Sequence, residues 1–304
     1  MKSDQPLLSI CIPTYNRCKY LERALCSIID NDDFDERTEI VISDNCSEDD
    51  TSRIIEEYVL KYSNIHYYKN LKNIKDRNFF VALEHGKGRY LKLLNDTAQL
   101  KAGSLRIMLE IIKNASSEKL LLFYNSELSF HHNETIHDIS PSDFLASTSF
   151  YMTWISNFGI WADWLYKVDY PYKYSNLMLV QVDWQLQLSS KVSGIDIVWD
   201  DFIIPEDIEG KGGYNIFDVF INNYLFLLRK HLGTYSWSIE VEKYNLLKRF
   251  ILPWMNTLVW SKNKKYSFDI SGYKGILFRE YWYAPYFYFF VLKNYLIFVL
   301  RKLK

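Results

Sequence analysis

The sequence lacks a glycine-rich turn of the GxGxxG or GxxxxGK[ST] kind, which sets aside dinucleotide-dependent dehydrogenases and P-loop kinases. It also lacks an excess of charge of either sign. The 36 basic and 37 acidic residues nearly cancel, so no global field holds a polyanion, and nucleic acid is not an expected partner. No CxxC pair is present. Cys11, Cys18, Cys26 and Cys46 all lie near the start of the chain, three of them in apolar or helix-like surroundings, and are expected to be the reduced thiols of a cytosolic chain. The apolar run that opens MKSDQPLLSICIPTYN is too short for the core of a secretion signal. Internal repeats and low-complexity segments are absent as well.

What is present is enough apolar material for a large core, with 48% hydrophobic and 24% charged residues in 304. It follows a regular beat. LLSICI (7–12), EIVIS (39–43), IHYY (65–68) and RYLKLL (89–94) are short runs suited to buried strands. CKYLERALCSII (18–29), DDTSRIIEEYVLKY (49–62) and DRNFFVALEH (76–85) place apolar residues at helical spacing. Strand and helix alternate, which predicts an α/β fold with a mainly parallel, doubly wound sheet flanked by helices. In that architecture ligands bind beyond the carboxyl ends of the strands. The polar residues at those ends are Pro13, Thr14, Tyr15, Asn16 and Arg17, then Asp44 and Asn45, then Asn95, Asp96 and Thr97. An aromatic ring, a guanidinium and two carboxylates on one rim can hold a base, a ribose and a diphosphate.

Three stretches, SICIPTYNRCKYLERALCSI, EIVISDNCSEDDT and the run from Asn73 through NDTAQLKAGSL, resemble in order and spacing the nucleotide-binding half of GT-A glycosyltransferases of family 2. The likeness covers roughly residues 7–110. It continues more weakly through QVDWQLQL and GKGGYNIFDVFINNYLFLL, in the manner of family members that build bacterial O-antigen or capsule. The resemblance implies a GT-A fold of Rossmann-like build. Its expected parts are a nucleotide-sugar-binding half at 1–110, an acceptor-binding half of the same domain at 111–213 and a helical, aromatic-rich C-terminal region at 214–304. It implies a nucleotide pocket formed by Pro13, Thr14, Tyr15 and Arg17 with Asn73, Arg77, Asn95 and Asp96. Asp44 is expected to bind the base, since a carboxylate accepts a ring N–H, although on its own it reads as a turn acid ahead of SEDDT.

Family members commonly carry a D-x-D element at the turn occupied here by Asn95–Ala98. Laid on without a gap, Asp96 takes the first Asp, while Thr97 and Ala98 replace the others, so the motif is incomplete. The usual chemistry employs a divalent cation, Mg²⁺ or Mn²⁺, to stabilise the leaving diphosphate. Asp96 is therefore the expected metal ligand. The alternatives are a cationic side chain (Lys75, Arg77 or Lys101) in the ion's place, lost catalysis, or a plain strand-to-helix turn with Asp96 at a helix N-terminus. If the transfer inverts the anomeric centre, a base must take the acceptor's proton, and Asp183 in LVQVDWQLQL stands where the family places it. HHNETIHD (131–138), with His131, His132, His137 and Asp138, offers metal-ligand types but reads as a loop. EGKGGYN (209–215) reads as a glycine-rich lid over the donor.

The end of the chain, REYWYAPYFYFFVLKNYLIFVLRKLK (279–304), joins a dense aromatic run to Lys293, Arg301, Lys302 and Lys304. Pro285, Lys293 and Asn294 interrupt it, so a helix lying on an anionic membrane surface is expected in preference to a packed or a spanning one. The reading is a sugar transferase acting on a glycan or lipid-linked oligosaccharide acceptor for bacterial surface polysaccharide, peripheral at the cytoplasmic face of the inner membrane. Its alternatives are a catalytically degenerate nucleotide- or glycan-binding module and a nucleotidyltransferase of similar build.

Overall fold

The structure is a computed structural model that describes residues 5–302 apart from 127–132. His131 and His132 lie outside the described residues.

The expected beat appears with small shifts of boundary. Strand β1 (Leu8–Thr14) is followed by helix α1 (Cys18–Ile29), β2 (Thr38–Asp44), α2 (Thr51–Lys61), β3 (Ile65–Lys69), α3 (Arg77–Glu84) and β4 (Tyr90–Leu93). β1 pairs in parallel with β2 on one side and β4 on the other, and β2 pairs in parallel with β3. β1, β2 and β4 are buried along their whole length, as strands covered on both faces must be. α1 turns Leu21, Ala24, Leu25 and Ile28 inward, the stripe that its spacing predicts. A buried Leu or Ile side chain contributes about 1.5–3 kcal/mol, so one such face anchors a helix without help from a side-chain cap.

After β4 the alternative of a plain strand-to-helix turn, with Asp96 at a helix N-terminus, is not what forms. Ala98–Leu100 forms a short strand, β5, and the next helix, α4, covers Ser104–Asn114. Then come β6 (Leu120–Asn125), β7 (Glu134–Ile139), α5 (Phe144–Thr148), β8 (Gly159–Trp161), α6 (Val180–Ser189), β9 (Ile195–Asp200) and β10 (Ile203–Pro205). β8 adds antiparallel to β4 and completes the order β3-β2-β1-β4-β8. β10 pairs with β5, and β6-β9-β7 forms a three-stranded sheet. α6 is buried on all sides, which erases the amphipathic pattern by which helices are usually read.

The remainder is mostly helical, as expected. It comprises β11 (Gly212–Asn215), α7 (Tyr224–Leu232), α8 (Trp237–Leu246), α9 (Leu252–Trp254), β12 (Ser267–Asp269), α10 (Tyr273–Tyr281) and α11 (Pro285–Lys302), with wider π-type turns at 218–223, 247–251 and 255–260. The limits drawn from sequence at 110/111 and 213/214 fall inside α4 and inside β11. β11 pairs with β12, so residues 212–215 are tied to the C-terminal region instead of ending the part before it. Among the described residues, no helix is long and apolar enough to cross a membrane.

Candidate active site

The carboxyl ends of β1, β2, β3 and β4 open onto a cavity of about 730 Å³, a volume typical of a small-molecule site. Pro13, Thr14, Tyr15, Arg17, Asn73, Arg77, Asn95 and Asp96 all line it. Asn45 of the rim and Gly213 of the expected lid line it too, and further lining comes from residues that the sequence did not point to, among them Asp76, Asn176 and Met178.

The loops around the cavity are cross-linked by short polar side chains. Asn45 N–H donates to the Thr14 carbonyl (2.8 Å), Asn16 N–H to Ser47 Oγ (2.9 Å) and Glu48 N–H to Asn16 Oδ1 (2.8 Å), which stitches the loop after β1 to the loop after β2. Asn45 then reaches the loop after β3. Its Nδ2 donates to Asn73 Oδ1 (2.9 Å) and to the Lys75 carbonyl (3.3 Å), while its Oδ1 accepts from Ile74 N–H (2.8 Å) and Asn70 Nδ2 (3.3 Å). Every hydrogen-bonding position of the Asn45 amide is thus used. Asn78 acts alike at the second residue of α3, accepting from Ser43 Oγ and Asn70 Nδ2 and donating to the Ser43 carbonyl, each at 2.7 Å.

Asp96 is the electrostatic centre. Its Oδ2 accepts from Thr14 Oγ1 (2.9 Å) and its Oδ1 from Arg17 Nη1 (3.0 Å), with Asp96 buried and Arg17 half open to the cavity. Burial raises the Asp96 carboxyl from its ordinary value, against the pull of Arg17 and Thr14. A divalent cation at this turn would meet a single carboxylate, Asp96, and would complete its shell from water and phosphate oxygens. Both Asp96 oxygens are engaged, Thr97 Oγ1 donates to Asn95 Oδ1 (3.0 Å), and Ala98 lies in β5 opposite Pro205. Among the described residues, no group of three or more His, Cys, Asp or Glu could hold a metal ion. The Arg17 guanidinium, expected in the pocket but not as the partner of Asp96, brings a positive charge to this spot.

Two expected residues are elsewhere. Asp44 ends β2 with no exposed surface, its Oδ1 accepting from Ser47 N–H (2.8 Å) and its Oδ2 from Tyr67 Oη (2.6 Å), and it does not line the cavity. Asp183 is on α6, but it faces α7. Its Oδ1 is 2.7 Å from His231 Nε2 and its Oδ2 accepts from Gln187 Nε2 (2.8 Å), so it too is absent from the lining. Of the alternative cations, Lys75 and Arg77 line the cavity, whereas Lys101 ion-pairs with Asp201 (3.6 Å). His137 and Asp138 are in β7, within reach of Asp196 and Lys119 respectively.

The glycine stretch at 209–215 borders the cavity through Gly213, whose φ of 82° suits glycine. It is pinned. Gly210 N–H donates to the Lys265 carbonyl (2.8 Å) and Ser267 N–H to the Lys211 carbonyl (2.9 Å), and a Cβ on Gly212 would meet the backbone of Ser267 at 2.3 Å. Tyr214 is close enough to Asp76 and Arg17 to be influenced by both charges. Loss of hydration and then the Arg17 charge lower the Lys211 ammonium from its ordinary value.

Residues 9–153 match the family model described as Glycosyl transferase family 2. Abequosyltransferase RfbV of Salmonella typhimurium is 39% identical over 104 residues, 34% of this chain and 31% of that protein. The GalNAc(5)-diNAcBac-PP-undecaprenol beta-1,3-glucosyltransferase of Campylobacter jejuni is 33% identical over 107 residues, 34% of each chain. The chain thus spans about a third of the length of these curated relatives. In fold it is similar to S. aureus TarS, with TM-score 0.58, 18% identity, and coverage of 82% of this chain and 43% of that one. It is also similar to the mannosyltransferase PcManGT from Pyrobaculum calidifontis, solved with GDP-Man and Mn²⁺, with TM-score 0.59, 13% identity, and coverage of 99% and 87%. The GT-A fold read from the sequence is therefore the fold of this chain.

Proposed function

With the N-terminal half of the chain carrying a glycosyl transferase family 2 domain, we propose that the protein transfers a sugar from a nucleotide donor to a hydroxyl of a lipid-linked glycan in bacterial surface polysaccharide assembly. The observation that carries this is the convergence of Tyr15, Arg17, Asn73, Arg77 and Asp96, from three separate strand ends, on one cavity. Tyr15 offers a ring face for a base, and Arg17 lies at the strand end where a diphosphate would sit. In the reaction the acceptor hydroxyl oxygen bonds to the anomeric carbon as the bond from that carbon to the diphosphate oxygen breaks, and the hydroxyl's proton is released to water. Negative charge grows on the departing diphosphate. Fixed cationic groups aimed at such charge lower the barrier without reorganising; Arg17 is anchored by Asp96, and Lys75 and Arg77 also line the cavity. The step proceeds with inversion and without a required metal ion.

The C-terminal region supports a site of action at a membrane. α11 has no buried residue; one face packs through Tyr286, Phe290, Tyr295 and Phe298 against Tyr244 and Trp260, and the other leaves Leu292, Leu296 and Leu300 exposed beside Lys293, Arg301 and Lys302. This face rests on the cytoplasmic leaflet, where a lipid-linked acceptor is met.

A panel of sugar nucleotides with a lipid-linked acceptor extract, assayed for released nucleoside diphosphate with Mn²⁺ and with chelator, tests the proposal. One donor is expected to turn over, at a rate that chelator leaves within about twofold. A rate abolished by chelator would overturn the assignment of Arg17 in place of a metal ion. Donor binding without turnover would favour the second reading, a non-catalytic module, whose specific support is the replacement of the D-x-D element by Asp96-Thr97-Ala98.

A further inference from the structure

Part of the cavity wall is not built from the strand-end loops and has no part in holding the donor. It is the segment between β8 and α6, which supplies Ser175, Asn176 and Met178 to the lining. Hydrogen bonds fix it from three sides. Tyr172 Oη donates to Glu84 Oε2 (3.0 Å) at the end of α3, Trp184 Nε1 of α6 donates to the Pro171 carbonyl (2.9 Å), and Asn223 Nδ2, just before α7, donates to the Leu177 carbonyl (3.1 Å). Met178 is thereby held at φ 61° and ψ 14°, left-handed backbone that a residue with a long side chain rarely adopts. Such strain is kept where it serves a site.

The side chains that this segment presents are apolar or amide, and they are open. Met178 is 39% exposed. Phe226, on α7 three residues beyond Asn223, is 47% exposed, and Tyr174 joins it in an edge-to-face pair with ring centroids 5.9 Å apart. Among the described residues nothing bonds the Asn176 side chain, whose amide keeps two donors and two acceptor positions. Tyr174 and Phe226 do not line the cavity. The strip therefore starts inside the site, at Asn176 and Met178, and continues outside it over Tyr174 and Phe226. A molecule that covers it has one end within the cavity and the rest beyond the mouth. That is the shape of an acceptor chain, not of a donor lodged among the strand-end loops. Ring faces beside an amide suit sugars, since the C–H face of a pyranose packs on aromatic carbon while its hydroxyls pair with the amide.

Resting on the reading of this cavity as a sugar-transfer site, we infer that Asn176, Met178, Tyr174 and Phe226 form a platform for the acceptor's carbohydrate. The end sugar lies over Met178 with its hydroxyls on the Asn176 amide, and the next sugar stacks on Phe226. The platform grips the glycan and not its lipid.

Saturation-transfer NMR on the full chain, with oligosaccharides freed by mild acid from the lipid-linked acceptor extract, tests the platform without requiring turnover. The wild type is expected to pass saturation to sugar C–H protons. Phe226→Ala and Asn176→Ala are expected to lose most of that signal while the chain stays folded by circular dichroism. Phe226→Trp retains it, and Phe226→Leu, which keeps apolar bulk without a ring, does not. In the transfer assay, Phe226→Ala raises the acceptor KM about tenfold, the scale of losing one ring contact, and leaves kcat and the donor KM within about twofold. Full signal and an unchanged acceptor KM in both alanine variants would overturn the platform alone, with the transfer reading intact. Saturation that reaches the lipid chain of the intact acceptor but no sugar proton would also overturn it, by giving the strip to lipid. A wild type that binds the oligosaccharide but turns over no donor would uphold the platform and overturn the transfer reading. A wild type that does neither would overturn both.

Discussion

The strand-end rim and the C-terminal helices solve different problems with different residues. On the rim, Asn16, Asn45, Asn70, Asn73 and Asn78 spend their amides on neighbouring loops, so that several turns share one geometry. In the C-terminal region, contact is aromatic on aromatic: Tyr214, Trp254, Tyr266 and Phe268 stack edge to face, and Tyr244 and Trp260 receive α11. Hydrogen bonds have direction, so the first region can place a charge to within an ångström or so. Ring contacts bury area but tolerate sliding, and they leave an apolar face of α11 bare. One region is built to recognise and the other to adhere.

The sharpest way to break this contrast is at Arg17. Arg17→Ala removes the cation at the diphosphate end and leaves Asp96 buried without its ion-pair partner. Transfer is expected to fall about 100- to 1,000-fold, the scale of losing one preorganised charge-stabilising donor, with partial recovery in Arg17→Lys. Transfer rates for both variants at saturating donor decide it. An undiminished rate in Arg17→Ala would mean that the rim's rigidity serves stability and not chemistry.

Next in size is Asp183, at the seam of the two regions. The geometry makes it a link between α6 and α7, and Asp183→Asn weakens its contacts to His231 and Gln187. Stability is expected to drop by about 1–3 kcal/mol in denaturant unfolding, with turnover kept within about tenfold. Abolished turnover with unchanged stability would return to Asp183 the proton-accepting role that its place in the sequence suggests.

How much of this was readable from the residues divides along the same seam. The β/α beat from Leu8 to Leu93 was legible because each element declares itself within its own window, by continuous apolar runs or by the α1 stripe. The short strand after Asp96 was not foreseen because β5 exists only by pairing with β10, about a hundred residues on, and no local pattern announces a distant partner. Asp44 and Asp183 were placed in the site by motif position. Tyr67 and His231, which occupy them, come from 23 and 48 residues later and carry no local sign of that task. Asp76 was passed over because, in DRNFFVALEH, it reads as an ordinary acid at a helix start. Only the cavity shows that it caps nothing.

The smallest effect on the fold, and the most informative about adhesion, is expected on α11. Leu292, Leu296 and Leu300 recur every four residues and so form one stripe, each more than half exposed. Replacing all three with Glu removes no core contact, so unfolding free energy should move by no more than about 0.5 kcal/mol per site. The same changes put three acids on the stripe beside Lys293, Arg301 and Lys302, which lowers both the apolar area and the positive charge offered to a bilayer. Since burying one Leu side chain contributes about 1.5–3 kcal/mol, cosedimentation with vesicles rich in phosphatidylglycerol should drop about 100-fold or more. Turnover of a detergent-solubilised acceptor should persist, because the cavity lining contains no α11 residue. If the triple variant still cosediments as the wild type does, the stripe has another use and the division between a recognising and an adhering region fails at its second half. If turnover of the solubilised acceptor disappears together with vesicle binding, α11 feeds the cavity directly, and the two regions act as one.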